Sequence, residues 1–146
     1  MKLGLGSYSY RWSIGHKDRT PSSPITCIEL LGITSKLDLD VLQIADNMPV
    51  HNIETHTLDQ LYRTAQKQGI NLEIGMQSFS TESIKIYLDI AERLDARILR
   101  IALDGNDVGT SDDIIAKEFK NILPIAEKIN CKIAIENHFA FPSDRM

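Results

Sequence analysis

The sequence is short of several features that would fix its class at once. It has two cysteines, Cys27 and Cys131. They lie far apart and form no CxxC pair, which leaves no basis for a disulfide framework or a cysteine-type metal or redox motif. The expectation is a cytoplasmic protein with two reduced, buried thiols. No apolar run approaches the roughly 20 residues that a membrane helix needs. The N-terminal MKLGLGSYSYRW lacks the long apolar stretch of a signal peptide. There is no N-x-S/T acceptor site, no charge block, no internal linker and no low-complexity stretch. Basic residues are in deficit, 16 against 20 acidic ones, for a net charge of −4. That balance speaks against an electrostatic grip on nucleic acid or on an anionic membrane.

What remains is an ordinary globular composition, 42% hydrophobic and 25% charged, in 146 residues, the size of one domain. Short apolar runs of strand length alternate with longer segments at helical spacing. The runs are Lys2 to Ser9, Val41 to Ala45, Ile70 to Met76, Ile98 to Leu103 and Cys131 to Ile135. Between them, apolar residues recur at three- and four-residue steps. Ile25, Ile28 and Leu31 do so after a start near Ser23-Pro24; Leu58, Leu61, Tyr62 and Ala65 lead up to a stop at Gly69. Ile84, Tyr87, Leu88, Ala91 and Leu94 follow an N-cap candidate at Thr81. Ile115, Phe119, Ile122 and Ala126 follow Ser111, where Asp112 and Asp113 suit the positive end of a helix dipole. Pro124 is expected to kink or split this last helix. The pattern is (βα)4β with a repeat of roughly 30 residues, and strands apolar along their whole length belong to a covered parallel sheet. The fold class is α/β.

Two α/β architectures compete. A doubly wound five-stranded sheet has about this length, but its common forms would leave marks. A flavin or dinucleotide site needs a phosphate-cradling loop between first strand and first helix. Gly4 and Gly6 form only a G-x-G inside the strand. A receiver needs acidic residues and a lysine where this chain has Ser7, Gln77 and Glu136. The alternative is a (β/α)8 barrel, whose active sites gather at the C-terminal ends of the strands. All five strands here end in polar groups: Ser7, Tyr8 and Arg11; Asp46 and Asn47; Gln77 and Ser78; Asp104 and Asn106; and Glu136, Asn137 and His138.

The fifth strand, CKIAIENH, resembles the fifth strand of the xylose isomerase-like barrels, a superfamily of sugar isomerases and epimerases. VLQIADN followed by MPVH resembles the second strand of some sugar phosphate isomerase/epimerase members, and LGLGSYSYRW and RILRIAL also fit. The resemblance runs over essentially the whole chain. It implies a partial (β/α)8 TIM barrel, about the first five strands and four helices. On this reading residues 1–146 form an incomplete xylose isomerase-like domain, truncated after strand 5, because eight units need about 250 residues.

The resemblance also implies chemistry. The glutamate ending the fifth strand is commonly a ligand of a divalent metal (Mn²⁺, Mg²⁺, Co²⁺ or Zn²⁺) and often shuttles a proton, a role that falls on Glu136. The other ligands of that family come from the sixth, seventh and eighth strands, which lie outside this chain, so the chain alone is expected to hold an incomplete site. Asp46, Asn47, Gln77, His138 and Tyr8 are the candidates for substrate binding. Carboxylates and amides offer the paired donors and acceptors that sugar hydroxyls need, and aromatic faces stack on sugars. Asp46-Asn47 is equally at home in a turn, and Tyr8, Tyr10 and Trp12 could simply pack. Arg100, between apolar neighbours, is expected as a structural ion-pair member; His16, His51 and His56 as surface residues.

The expected function is a sugar or sugar-phosphate isomerase or epimerase, with proton transfer next to a carbonyl once the barrel is complete. An apurinic-site endonuclease uses the same barrel but draws on early-strand histidines where Asp46 and Gln77 stand. From another class comes a non-catalytic half-barrel, self-associating or paired with a complementary half, because an unclosed sheet leaves exposed edges.

Overall fold

The computed structural model describes residues 2–16, 18–77, 79–103, 107 and 109–137. Five strands, β1 Gly4–Gly6, β2 Val41–Ile44, β3 Asn71–Gln77, β4 Ile98–Leu103 and β5 Lys132–Asn137, form one sheet in the order β1-β2-β3-β4-β5. Every neighbouring pair is parallel. Sequential order decides between the two architectures. A doubly wound sheet reverses its strand order at a switch point and carries helices on both faces. Here the crossovers run in one direction only. Helices α2 Cys27–Lys36, α3 Thr55–Gln68, α4 Thr81–Leu94 and α5 Asp112–Lys128 pack successively on one another and on β2 to β5, as one layer on one face. This is the winding of a barrel, seen over five of its units.

Period-two alternation then divides each strand between two faces. Leu42, Ile44, Leu72, Ile74, Met76, Leu99 and Ile101 meet the helices and are buried with Leu61, Ile84 and Leu88. Gln43, Glu73, Gly75, Gln77, Arg100, Ala102 and Glu136 take the other face, the one that a closed barrel turns inward. Gln43 and Glu73 are register partners there, and Gln43 Nε2 donates to Glu73 Oε2 at 3.0 Å.

Local chemistry explains most element ends. Gly69 adopts φ +70 and stops α3 as expected. Ser111 precedes α5, with Asp112 and Asp113 in its first turn. Other ends differ from the sequence expectation. The first crossover helix starts later than Pro24, because Thr26 and Glu29 form a reciprocal capping box: the Thr26 hydroxyl accepts from the Glu29 amide at 3.2 Å, and the Glu29 carboxylate accepts from the Thr26 amide at 2.8 Å. Ser80, not Thr81, caps α4, and the Thr81 hydroxyl bonds to Glu118 instead. Pro124 does not split α5, which runs unbroken from Asp112 to Lys128.

The largest departure is at β1, which is only three residues long. Ser7–Tyr10 form a 3-10 turn and Arg11–Ile14 a short helix, α1. The Ser7 hydroxyl explains the early bend. It is fully buried, accepts from the Ala45 amide at 2.9 Å and donates to Asn47 Oδ1 at 2.5 Å. It thus ties the exit of β1 to the exit of β2.

Both cysteines are buried and free, and burial pushes both thiols above their ordinary range. Among the described residues no helix is long and apolar enough to cross a membrane.

Candidate functional site

The C-terminal ends of the strands surround a cavity of about 780 Å³. Its floor is a chain of charged and polar groups that crosses the sheet. Arg100 lies in the middle of β4, on the inner face, beside Gly75 of β3 and Ala134 of β5. Its neighbours on both sides are small, which leaves room for the guanidinium. A Cβ added at Gly75 would sit 3.3 Å from Arg100 Nη1.

Arg100 reaches in two directions. Its Nε donates to Glu136 Oε2 on β5, and its Nη1 donates to Asp46 Oδ1 at 3.3 Å, just beyond β2. Tyr8, at the exit of β1, donates its hydroxyl to Asp46 Oδ2 at 2.5 Å. Four residues from the exits of β1, β2 and β5 and the middle of β4 thus form one connected network, Tyr8–Asp46–Arg100–Glu136.

The electrostatics follow from that order. The hydrogen bond to Glu136 first, and Asp46 after it, raise the Arg100 pKa above its usual value in spite of burial. Its side chain is only 17% exposed, and the two carboxylates keep it a fixed cation across the working pH range. Burial, then the hydrogen bond to Asp46, pushes the Tyr8 phenol up to about 12. Tyr8 is therefore a hydrogen-bond donor rather than a base at neutral pH.

Five of the six site residues expected from sequence, Tyr8, Asp46, Asn47, Gln77 and Glu136, line this one cavity. The sixth, His138, lies outside the described residues, as do Ser78, Asp104 and Asn106. Asn47 does two things: its Oδ1 accepts from Ser7, while its buried Nδ2 has no hydrogen-bond partner among the described residues. The aromatic trio of the first strand exit does not act together. Tyr8 joins the network, Tyr10 packs half-buried against the core, and Trp12 is 56% exposed.

Sequence reasoning undervalued Arg100. It is an ion-pair member, as expected, but the pairing takes place inside the cavity and joins its two carboxylates. No sequence signal marked it, because only the register that sets Arg100 beside Gly75 and Ala134 turns it toward the carboxylates. Arg11 and His16 also line the cavity, at its rim.

A smaller hollow of about 270 Å³ shares Asp46 and Gln77 with the main cavity. There His51 Nδ1 lies 2.9 Å from the Tyr87 hydroxyl. Burial, with Asp46 adding to it, pushes Tyr87 up to about 12.

The donor set does not by itself make a metal site. Among the described residues no three His, Cys, Asp or Glu side chains converge. The Glu136 carboxylate is engaged by Arg100. As one ligand of a divalent ion, Glu136 would have to draw its companions from other residues.

Sequential parallel strands and one helical layer define the fold as part of a (β/α)-type barrel, with a polar floor at the strand exits. Comparison with known proteins agrees. D-psicose 3-epimerase, crystallised in the presence of D-fructose, superposes with a TM-score of 0.71 at 15% identity, over 94% of this chain and 55% of its own. A xylose isomerase domain containing protein from Salmonella typhimurium LT2 does so with a TM-score of 0.62 at 11% identity, over 92% of this chain and 48% of its own. Among curated sequences, 3-oxo-isoapionate decarboxylase of Pectobacterium atrosepticum (strain SCRI 1043) is 27% identical over 138 residues, which are 94% of this chain and 49% of the decarboxylase. No family model matches the sequence. The chain spans about half the length of these relatives.

Proposed function

We propose that this chain supplies the strand 1–5 side of an active site for proton transfer next to a carbonyl, in a sugar or sugar-phosphate isomerase or epimerase. The observation that carries this reading is the pair of carboxylates, Asp46 and Glu136, set on either side of one fixed cation at the floor of a single cavity.

The reaction has two demands. A base must take a proton from carbon beside a carbonyl, and the negative charge that then appears on oxygen must be stabilised. Glu136 is the base. Arg100, cationic and in contact with it, is placed to meet the developing charge as the carboxylate takes up the proton. Tyr8 donates and Asp46 accepts, so together they can orient a substrate hydroxyl. Asn47 and Gln77 extend that polar wall. Return of the proton to the other face of the carbon gives an epimer; return to the neighbouring carbon gives an isomer.

The 27% identical relative favours a second reading of the same floor. Loss of CO2 from a 3-oxo acid leaves an enolate too, and it makes the same demand on Arg100.

The test is solvent exchange. In D2O, NMR should show this chain, within a completed barrel, exchanging the protons beside the carbonyl of D-fructose. Glu136→Gln should slow this by roughly 100-fold or more, the usual contribution of a general base. Exchange at the wild-type rate in Glu136→Gln would remove Glu136 from the mechanism. CO2 release from a 3-oxo acid without exchange would move the assignment to decarboxylation.

A further inference from the structure

The floor of the cavity is balanced, with its cation held between two carboxylates. Its rim is not. Arg11 lines the main cavity and also an adjoining outer cleft of about 420 Å³, as does His16; Arg19 and Trp12 line the outer cleft. The Arg11 guanidinium lies 5.0 Å from the centroid of the Trp12 ring, and that of Arg19 lies 5.8 Å from the same centroid. His16 meets the ring edge-on at 5.4 Å and 87°.

This group is held by backbone bonds. The Gly15 amide donates to Arg11 O at 2.9 Å, and His16 and Arg19 exchange backbone bonds at 2.9 and 3.1 Å. Gly15 makes that return possible, because its φ of +126 is open only to glycine.

Two guanidiniums on one indole repel each other, and the cation–π contact repays this only in part at an exposed ring. Neither arginine forms an ion pair among the described residues. Asp18 lines the same cleft without pairing to either. The positive charge here stands against the sign of the whole chain, which is −4. Planar guanidinium forks suit phosphate and carboxylate oxygens, which they can bind two at a time.

We propose that Arg11, His16 and Arg19, gathered around Trp12, form an anion subsite continuous with the main cavity, and that the substrate is a carbohydrate carrying a phosphate or a carboxylate. The carbonyl end sits over Arg100 and Glu136, and the anionic end reaches the rim. This inference rests on the reading of the cavity as a sugar site.

The sequence contains one tryptophan, so its emission, excited beyond the tyrosine band, reports anion binding at this subsite, while calorimetry gives the affinity of every ligand, neutral fructose included. Titrations at constant ionic strength use D-fructose 6-phosphate, D-gluconate, inorganic phosphate and neutral D-fructose. The expected result is a saturable response to at least one anionic sugar, with a Kd at least about tenfold below that of D-fructose. The tighter of the two anionic sugars identifies phosphate or carboxylate. The double variant Arg11→Gln, Arg19→Gln should abolish the preference, with an unchanged thermal melt as the check on folding.

Equal affinity for fructose and both anionic sugars overturns the proposal, as does a preference that survives in the double variant. No saturable response to any of the three anions overturns it as well. Inorganic phosphate binding as tightly as fructose 6-phosphate would sever the subsite from the sugar cavity and overturn the substrate assignment. The proton-exchange test uses neutral fructose and Glu136, so it fails separately. Anion preference without exchange would retain the subsite and reject the chemistry; exchange without anion preference would do the reverse.

Discussion

Arg100 shows at the scale of one residue how the site is built. A strand interior flanked by leucine and isoleucine is a costly place for a guanidinium, and it is tolerated because two carboxylates receive it. Removing the cation leaves Asp46 and Glu136 facing each other without compensation. Arg100→Gln is expected to lower stability by about 1–3 kcal/mol in urea unfolding. This is less than for a fully buried pair, because Glu136 is 37% exposed. An unchanged midpoint would show that the network contributes nothing to the fold. The sequence alone placed Asp46, Gln77 and Glu136 at strand exits, since each closes an apolar run. It did not reveal what joins them: an arginine in a strand points either to the helices or to the lumen, and only the register with Gly75 and Ala134 decides. The outer group around Trp12 was equally hidden, because Gly15 turns the chain back through contacts that no periodicity records.

At the scale of elements, the chain was most legible where one signal dominates. β4 runs from Ile98 to Leu103, the limits of its apolar run. α3 ends where Gly69 stands. Errors occurred where signals compete. The run from Lys2 to Ser9 read as a strand, but the buried Ser7 hydroxyl draws the chain across to Ala45 and Asn47 and ends the strand at Gly6. At the start of α2, Ser23-Pro24 looked like a cap, but the reciprocal bonds of Thr26 and Glu29 satisfy two amides at once. Pro124 is the reverse case, a breaker overruled by packing. Ile122 and Ala126 on either side are buried and hold the helix together across the missing amide. Pro124 itself is exposed. Pro124→Ala is therefore expected to stabilise the protein by about 1–3 kcal/mol, by restoring the hydrogen bond and relieving the ring clash. A rise in Tm would bear this out; a fall would show that the proline shapes α5 in a way the fold needs.

Among the described residues, the helices pack on one face of the sheet only. Helices α2 to α5 seal the outer face of the sheet, and the inner face carries Gln43, Glu73, Arg100 and Glu136. β1 and β5 are the outermost strands, and among the described residues neither pairs on its far side. Free strand edges are templates for pairing. A barrel meets this need with further β/α units, and a complementary half-barrel or a second copy would meet it in another way. The α/β class and the order of units could be read from the alternation of runs. The partial barrel with its unclosed sheet followed from the resemblance of the strands, whereas periodicity alone left the strand order open, because crossovers of similar length fit both architectures.

The most direct test of this architecture is light scattering over a dilution series of the 146-residue chain. A sheet that, among the described residues, is open on its inner face and at both edges predicts a mass above the 16.4 kDa of one chain, rising with concentration. A constant 16.4 kDa monomer across the series would contradict the open-barrel account and point to a sheet complete in itself.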